Sequence, residues 1–286
     1  MPIIKLKGGL GNQLFQYAFG RLIALRRGEE LKLDKDIFGQ RGARRSYGLE
    51  AFNIKAEIAS KEEVLKVKYP YGLISKALRF FKAKFLRIFN IGYKKSLIKT
   101  KAQYLDGFFQ SYKYLEQVER ELKDELSLKN DNLEIKYLAI LEEMKNTESV
   151  AVHIRRGDYV NDAKTKKAHF ICDLNYYEKA FALIKDKLKE RNLEPKFFIF
   201  SDDINFAKDN LKKENCIFIS RPEILDYEEL ILMSRAKNNI IANSSFSFWS
   251  AWLNSNPRKI VIAPALWNRK YRTAYKDLLP EDWLRV

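Results

Sequence analysis

The stretch Val150-Ala-Val-His-Ile-Arg-Arg-Gly-Asp-Tyr159 indicates the fold, because its short apolar strand ends in two arginines and a glycine turn. Further apolar runs follow it at 197–200, 216–219, 239–242 and 260–263, separated by helical patterns at 176–189, 205–213, 227–237 and 245–253. This alternation predicts a parallel sheet with helices on both faces. Residues just after each strand are therefore the binding candidates, because ligands of such sheets lie beyond the carboxyl ends of the strands.

The N-terminal residues show the same kind of pattern. A strand pattern at 3–6 runs into Gly8-Gly-Leu-Gly11, and apolar residues then recur at helical spacing before another strand pattern at 31–33. Between 55 and 145 helical patterns prevail, with a strand-like exception at Tyr104-Leu-Asp-Gly-Phe-Phe109. A chain of 286 residues with this organisation is one large α/β domain or two domains.

Composition indicates a globular protein, with 46% hydrophobic and 13% aromatic residues and only seven prolines. Cys172 and Cys216 follow no metal-ligand spacing, and we expect two buried thiols in a reducing compartment. No run of about 18 apolar residues and no signal-type segment is present. We therefore expect a cytoplasmic protein, or one held peripherally on the inner face of the membrane.

The net charge of +16 is concentrated between Lys66 and Lys101, where eleven basic residues occur and no acidic one. Within that stretch, residues 74–89 have the pattern of a basic amphipathic helix. Three interpretations stay open: a surface helix packed on its own domain, a peripheral membrane contact through residues 66–101, and a protein partner. Nucleic-acid binding would also fit the charge, but no recognition module is present, and we expect none to be bound.

Three polar motifs follow predicted strands. Arg155 and Arg156 suit a diphosphate, because a guanidinium gives charged bidentate contacts without a metal; pairing with Asp158 or capping of a helix is the alternative. The carboxylates of Ser201-Asp202-Asp203 suit guanine or a ribose diol, although Ser201 or Asp202 could instead cap the next helix.

The third motif, Asn243-Ser244-Ser245-Phe246, begins a Ser-rich helix. Backbone N–H groups and the helix dipole favour phosphate oxygens at such a position, and an ordinary helix cap followed by core aromatics is the alternative.

Two further motifs lie near the N-terminus. The Gly8 to Gln13 turn is not a dinucleotide fingerprint, because Leu14 occupies the third glycine position, and we interpret it as lining a cleft. Asp34-Lys-Asp36 could hold a divalent ion, but its distance in sequence from the phosphate candidates favours helix capping.

Taken in order along the chain, these motifs resemble the bacterial α-1,2-fucosyltransferase family. The resemblance is carried by Gly8-Gly-Leu-Gly-Asn-Gln13, Tyr104-Leu-Asp-Gly-Phe-Phe-Gln110, His153-Ile-Arg-Arg-Gly-Asp-Tyr159, Ser201-Asp-Asp203 and Asn243-Ser-Ser-Phe-Ser247. It implies an α/β fold of the GT-B type, in which two Rossmann-like domains with parallel sheets face a cleft. Residues 1–146 would form the acceptor-side domain, and residues 147–286 would bind GDP-fucose.

The resemblance also implies the reaction: inverting, metal-independent transfer of L-fucose from GDP-fucose to the 2-hydroxyl of a terminal galactose in an oligosaccharide. No cofactor is expected. The alternative within the class is a transferase that uses another GDP-sugar, such as GDP-mannose. From a different class, the alternative is a basic protein that binds nucleic acid or a membrane surface.

The resemblance assigns roles to individual residues. Arg155 would bind the β-phosphate, Arg156 would support the loop or a phosphate, and His153 and Asp202 would approach the guanosine. The nucleotide site would be completed by Asn243, Ser244, Ser245 and Phe246. The acceptor cleft would be lined by Gly9, Asn12, Gln13 and Asp106.

The general base stays open among His153, Asp106 and Asp158. Two residues depart from the family pattern: Phe248 stands where tryptophan is more frequent, and Ser250 stands where glycine is more frequent. Ser250 therefore bears on how this helix packs.

Overall fold

The apolar runs form the strands of two separate parallel sheets, each within its own unit. The computed structural model describes residues 1–40, 45–72, 74–77, 90–157, 172–211 and 215–286. Unit 1 comprises Met1–Asn130 with Thr273–Pro280, and unit 2 comprises Asp131–Arg272 with Glu281–Val286. From the sequence we expect the boundary between the two domains between residues 146 and 147, whereas unit 1 of the structure gives way to unit 2 after Asn130.

Unit 1 contains a four-stranded parallel sheet in the order β3-β2-β1-β4. Its strands are β1 (Ile3–Lys5), β2 (Lys32–Asp34), β3 (Glu57–Ile58) and β4 (Tyr104–Leu105). Its helices are α1 (Leu10–Arg27), α2 (Lys61–Lys68), α3 (Tyr112–Leu115) and α4 (Glu119–Glu125). The predicted strand-turn-helix at the N-terminus is therefore present, and the glycine turn lies between β1 and α1.

Unit 2 contains a six-stranded parallel sheet in the order β10-β9-β8-β5-β6-β7. Its strands are β5 (Glu148–Ile154), β6 (Pro195–Ser201), β7 (Cys216–Phe218), β8 (Asn238–Ile240), β9 (Val261–Ala263) and β10 (Leu284–Arg285). Its helices are α5 (Leu133–Lys136), α6 (Leu138–Asn146), α7 (Leu174–Lys189), α8 (Ile204–Asn210), α9 (Asp226–Ser234) and α10 (Ser245–Leu253). The predicted alternation of strands and helices after Val150 is confirmed.

The hydrophobic core of unit 2 explains why the central strands have continuous apolar runs. Val150 and Val152 of β5 and Phe197 of β6 are buried on one face of the sheet, and their neighbours Ala151 and Phe198 are buried on the other. A strand covered by helices on both faces buries both sets of alternating side chains, so its sequence is apolar throughout. Polar residues therefore begin where each strand ends.

The sequence pattern at 104–109 predicts a longer strand than the structure contains. Strand β4 ends at Leu105, and the N–H groups of Phe108 and Phe109 both donate to the carbonyl of Asn90, at 2.7 and 3.0 Å. Phe109 has a φ of 51°, which a strand cannot accommodate. Tertiary contacts therefore bend this segment out of the sheet.

The C-terminal residues contribute to both units. In unit 1, the carbonyl of Leu278 accepts a hydrogen bond from the N–H of Tyr112 at 3.2 Å, and Lys113 pairs with Asp277 at 2.5 Å. In unit 2, β10 pairs with β9. No sequence pattern predicted this division of the C-terminal residues.

Residues 78–89 of the predicted basic amphipathic helix lie outside the described residues, and residues 74–77 are helical. No helix in the described part of the chain is both long and apolar enough to cross a membrane. Cys172 is buried, Cys216 is half-buried, and both are free thiols.

Candidate nucleotide-binding and active site

The register of β5 with β6 brings the first two polar motifs together. Ile154 lies opposite Ser201, so the next residues of the two strands, Arg155 and Asp202, emerge side by side. Nη1 of Arg155 lies 3.0 Å from Oδ2 of Asp202, and the backbone N–H of Arg156 donates to Oδ1 of Asp202 at 2.8 Å. Asp202 therefore orients the arginine loop from the neighbouring strand.

Gly157 allows the loop to approach Asp202 closely. A Cβ atom at position 157 would lie 2.4 Å from Oδ2 of Asp202, much nearer than two such atoms can pack. Position 157 therefore requires glycine, because the carboxylate of Asp202, just after the adjacent strand, leaves no room for a side chain.

Arg156 is held by the helix that follows β6. Its Nε lies 3.3 Å from Oδ2 of Asp203, and its guanidinium carbon lies 3.4 Å from the ring centroid of Phe206. Stacking on an aromatic ring and pairing with a carboxylate both fix the plane of a guanidinium. Of the two roles left open for Arg156, this geometry favours support of the loop.

Asp203 provides the cap of α8. Its Oδ1 accepts a hydrogen bond from the N–H of Phe206 at 3.2 Å, and the hydroxyl of Ser201 accepts one from the N–H of Asp203 at 3.0 Å. The helix cap that the sequence suggested for Ser201 or Asp202 is therefore supplied by Asp203. The carboxylate of Asp202 instead contacts the arginine loop.

His153 is the second-to-last residue of strand β5, two positions before Arg155, and is 3% exposed. Its ring centroid is 5.6 Å from that of Phe246, and among the described residues its Nδ1 has no hydrogen-bond partner. Burial, and secondarily the charge of Arg155, lower the pKa of His153 to about 3. The imidazole is therefore neutral over the physiological pH range.

The third motif lies at the start of α10, beyond β8. The hydroxyl of Ser244 caps the helix by accepting a hydrogen bond from the N–H of Phe246 at 3.3 Å. The amide of Asn243 donates to the carbonyl of Trp267 at 3.1 Å, and the thiol of Cys172 donates to its Oδ1 at 3.5 Å. Both Asn243 and Ser244 are buried, while Ser245 and Phe246 are partly exposed at the helix start.

The two departures from the family pattern both lie in the core. Phe248 is fully buried, with its ring centroid 5.2 Å from that of Trp283. Ser250 is 1% exposed, and its hydroxyl donates to the carbonyl of Ser247 one helical turn earlier, at 2.9 Å. The polar group introduced by Ser250 is thus satisfied within the helix.

Glu229 was not predicted from the sequence. It lies on α9, where its carboxylate accepts a hydrogen bond from the hydroxyl of Ser220, which itself accepts one from the N–H of Ser201 at 2.8 Å. Burial raises the pKa of Glu229 to about 7, against the lowering effect of Ser220 and with smaller contributions from Asp226, Asp202 and Arg155. The available signal was the position of Glu229, which directly precedes the apolar run Leu230-Ile-Leu-Met233 of the same helix.

The acceptor-cleft candidates lie in unit 1. Asp106 follows β4 and pairs with Lys7 at 2.6 Å and with Lys5 at 3.7 Å, both from the end of β1. Oδ1 of Asn12 accepts a hydrogen bond from the amide of Gln110 at 2.5 Å. Two of the family motifs, Gly8–Gln13 and Tyr104–Gln110, thus meet at the carboxyl edge of this sheet.

The glycine turn between β1 and α1 is stabilised by the buried side chain of Gln13. Gly8 adopts a φ of 83°, which favours glycine, and Gly9 precedes the first turn of α1. The side chain of Gln13 is fully buried, donates to the carbonyls of Gly8 and Ser46, and accepts from the N–H of Gly48 at 3.0 Å. These contacts make Gln13 a residue that shapes the turn.

Asp34 is buried and engaged within unit 1. Its carboxylate accepts hydrogen bonds from the hydroxyl of Tyr104 at 2.5 Å and from the N–H of Asp36 at 3.2 Å, at the start of a short 3-10 helix. Within the described ranges no group of three or more His, Cys, Asp or Glu side chains is placed to hold a metal. Asp158 lies outside the described residues.

Two units, each built on a parallel sheet, form an α/β fold that is also found in GT-B-like glycosyltransferases. The chain matches the model of glycosyl transferase family 11 over residues 2–286 and belongs to that family.

Two relatives from Escherichia coli match nearly the whole chain. An alpha-1,2-colitosyltransferase is 34% identical over 99% of this chain and 98% of its own length. The O-antigen biosynthesis glycosyltransferase WbnK is 33% identical over 92% of this chain and 93% of its own length. The family assignment therefore rests on similarity along the full sequence.

The fold is also found in a solved structure. Fucosyltransferase NodZ from Bradyrhizobium has a TM-score of 0.55 and 14% identity, with 91% of this chain and 94% of that chain covered. At this identity the likeness concerns the fold, which confirms the α/β architecture expected from the sequence.

Proposed function

We propose that this protein transfers L-fucose from GDP-fucose to the 2-hydroxyl of a terminal galactose in a glycan, with inversion at the anomeric carbon. The observation that carries the proposal is the cluster of His153, Arg155 and Asp202 at the ends of two adjacent strands. In a parallel sheet this edge is where ligands bind, and α10 begins beyond a third strand of the same sheet.

Arg155 would stabilise the leaving diphosphate. A guanidinium presents planar donors to phosphate oxygens, and Asp202 already fixes its orientation, so little reorganisation is needed when charge develops on GDP. The N-terminus of α10 adds a helix dipole of the same sign. These fixed charges can perform the work that a metal performs elsewhere, which supports metal-independent transfer.

The general base is better assigned to a carboxylate than to His153. A base works best when its pKa lies near the operating pH, and burial lowers the pKa of His153 to about 3. His153 therefore suits the nucleotide as a neutral ring beside Phe246. Asp106 and Asp158 stay as candidates for the base.

The protonation state of His153 can be measured directly, because the chain contains only two histidines. In heteronuclear NMR spectra, His153 should show no titration between pH 5 and 8, and a His169→Gln variant would assign its signals. A midpoint near 6.5 would return His153 to the candidates for the base.

The phosphate role is tested by Arg155→Ala. Turnover of GDP-fucose should fall on the order of 10² to 10³-fold, as expected for loss of one donor to a developing charge, while the protein stays folded. Arg191→Ala is the matched control, since Arg191 is an exposed arginine of the same unit that contacts only a backbone carbonyl among the described residues. Near-normal turnover in Arg155→Ala would reject the assignment.

The donor class is tested by calorimetric titration with GDP, ADP and UDP in the presence of EDTA. Selective binding of GDP is expected. Binding that appears only after Mg²⁺ or Mn²⁺ is restored would contradict metal independence and would redirect attention to Asp34 and Asp36.

Transfer of a colitosyl group is a second candidate, favoured by the 34% identity to the alpha-1,2-colitosyltransferase over 99% of this chain. Colitose is the 3-deoxy counterpart of fucose, so the two donors differ by one hydroxyl. A site built to hydrogen-bond that hydroxyl would reject the deoxy sugar strongly, whereas an apolar site would discriminate weakly. Measurement of kcat/KM for GDP-fucose, GDP-colitose and GDP-mannose separates the candidates.

A further inference from the structure

Unit 1 exposes large apolar side chains within one short segment. Leu65, Tyr71 and Ile74 are 55%, 76% and 68% exposed. Single exposed apolar residues are ordinary, whereas three within ten residues concentrate exposed apolar area in one short segment. We call the segment from Lys61 to Lys76, without residue 73, the α2 surface.

The α2 surface is firmly attached to unit 1. Ser60 and Glu63 form a reciprocal cap at the start of α2, and Glu63 also pairs with Lys32 at 2.6 Å. On the inner side, Val64 packs in a cluster with Ile3 and Tyr104. The exposed side chains therefore project from a helix whose other face is already buried.

Contacts within the segment bring its lysines and apolar residues together. The ammonium groups of Lys68 and Lys76 lie 5.4 and 5.7 Å from the ring centroid of Tyr69. The hydroxyl of Ser75 accepts a hydrogen bond from the N–H of Tyr71 at 3.0 Å, which closes the turn after α2. Residues on both sides of Tyr69 thus belong to one surface.

The charge of this surface has one sign for most of its length. Lys61, Lys66, Lys68 and Lys76 lie within it, and the sequence contains no acidic residue from 64 to 105. The two acidic residues of the surface, Glu62 and Glu63, lie in the first turn of α2, and Glu63 is engaged by its cap and by Lys32. After Glu63 the only charged residues of the surface are lysines.

We propose that the α2 surface docks on an anionic membrane. Lysines attract acidic headgroups while their stems and the neighbouring apolar side chains enter the interface, which is how a basic amphipathic surface binds lipid. Nucleic acid would account for the lysines but would leave Leu65 and Ile74 exposed. The inference is independent of the donor, so failure of one proposal does not remove the other.

The test is flotation of the full chain with phosphatidylcholine vesicles that contain or lack phosphatidylglycerol. Binding to the anionic vesicles only, weakened by salt, is expected. The double variant Lys66→Glu/Lys76→Glu should lower the bound fraction at least about tenfold, and Tyr71→Ser/Ile74→Ser should lower it at unchanged charge.

Matched controls come from exposed residues of unit 2. Lys179→Glu changes charge on α7, and Ile135→Ser removes a side chain that is 85% exposed. Both controls should float like wild type, and all variants should keep turnover of donor with a soluble acceptor. Equal binding to neutral vesicles, no binding at low salt, equal losses in the controls, or binding of a duplex oligonucleotide in place of vesicles would each overturn the proposal.

Discussion

At the scale of single residues, Glu229 makes the stability of the protein depend on pH in an unusual direction. Burial raises its pKa from 4.5 to about 7, so between these values the folded protein retains a proton that the unfolded chain has lost. The contribution of Glu229 to stability is therefore complete below pH 4.5 and is lost as pH rises through about 7.

The substitution Glu229→Gln should remove the loss of stability that wild type shows as pH rises. At pH 8 the variant should be more stable than wild type, by up to about 3 kcal/mol, and the advantage should vanish towards pH 4.5. Urea unfolding at several pH values measures the difference. Glu223→Gln, at an exposed position close in sequence, should leave the profile unchanged; a constant offset between Glu229→Gln and wild type would contradict the titration.

Gly157 links packing to the arginine loop. Gly157→Ala should displace the carboxylate of Asp202, because the new Cβ would lie 2.4 Å from Oδ2, and so release Arg155. We expect a loss of donor turnover of about tenfold or more, the range that misplacement of a positioning group produces. Gly39→Ala, which meets no atom within 4 Å, is the control and should be active. Full activity of Gly157→Ala would show that Asp202 can move without consequence.

At the scale of elements, helix α10 shows how the chain accommodates a departure from its family. Ser250→Gly should destabilise the protein by about 1 kcal/mol, because glycine is a poor helix former and leaves space in the core. Ser250→Ala should stay within about 1 kcal/mol of wild type, since the hydroxyl is satisfied only locally. Thermal unfolding of both variants checks this; a loss of acceptor use at unchanged stability would instead indicate a role towards the acceptor.

Elements with strong local patterns were predictable from the sequence, whereas their pairings were not. The apolar runs of β5 to β9 and the helix at 245–253 match the structure closely, because buried strands and amphipathic helices have local signatures. The pattern at 104–109 misled, since Asn90 captures the N–H groups that would have continued the strand.

The candidate site divides in the same way. Arg155 and Asp202 were recognisable as polar residues after strands, but the register that places them together joins residues 47 positions apart and has no local signature. Glu229 escaped prediction because its contact with Ser220 depends on the conformation of the connection between β7 and α9, which no sequence pattern indicated.

At the scale of the whole molecule, the last residues of the chain stabilise unit 2. Trp283 is 5% exposed and packs against Phe248, so Trp283→Ala should lower the free energy of unfolding by about 3 to 5 kcal/mol. Leu225→Ala, at a residue of the same unit that is 50% exposed, should change it by less than about 0.5 kcal/mol. Similar unfolding midpoints for the two variants would mean that the contact with Phe248 contributes little.

Because Thr273–Pro280 completes unit 1, this unit cannot finish folding while the ribosome still holds residues 273–280. Its first 130 residues would emerge early and lack their contacts with Leu278 and Asp277 until residue 280 has been synthesised. Synthesis from the N-terminus normally lets the first domain fold first. Here the first 130 residues of unit 1 must wait for residues 273–280, so unit 1 is not complete before most of unit 2 has been synthesised.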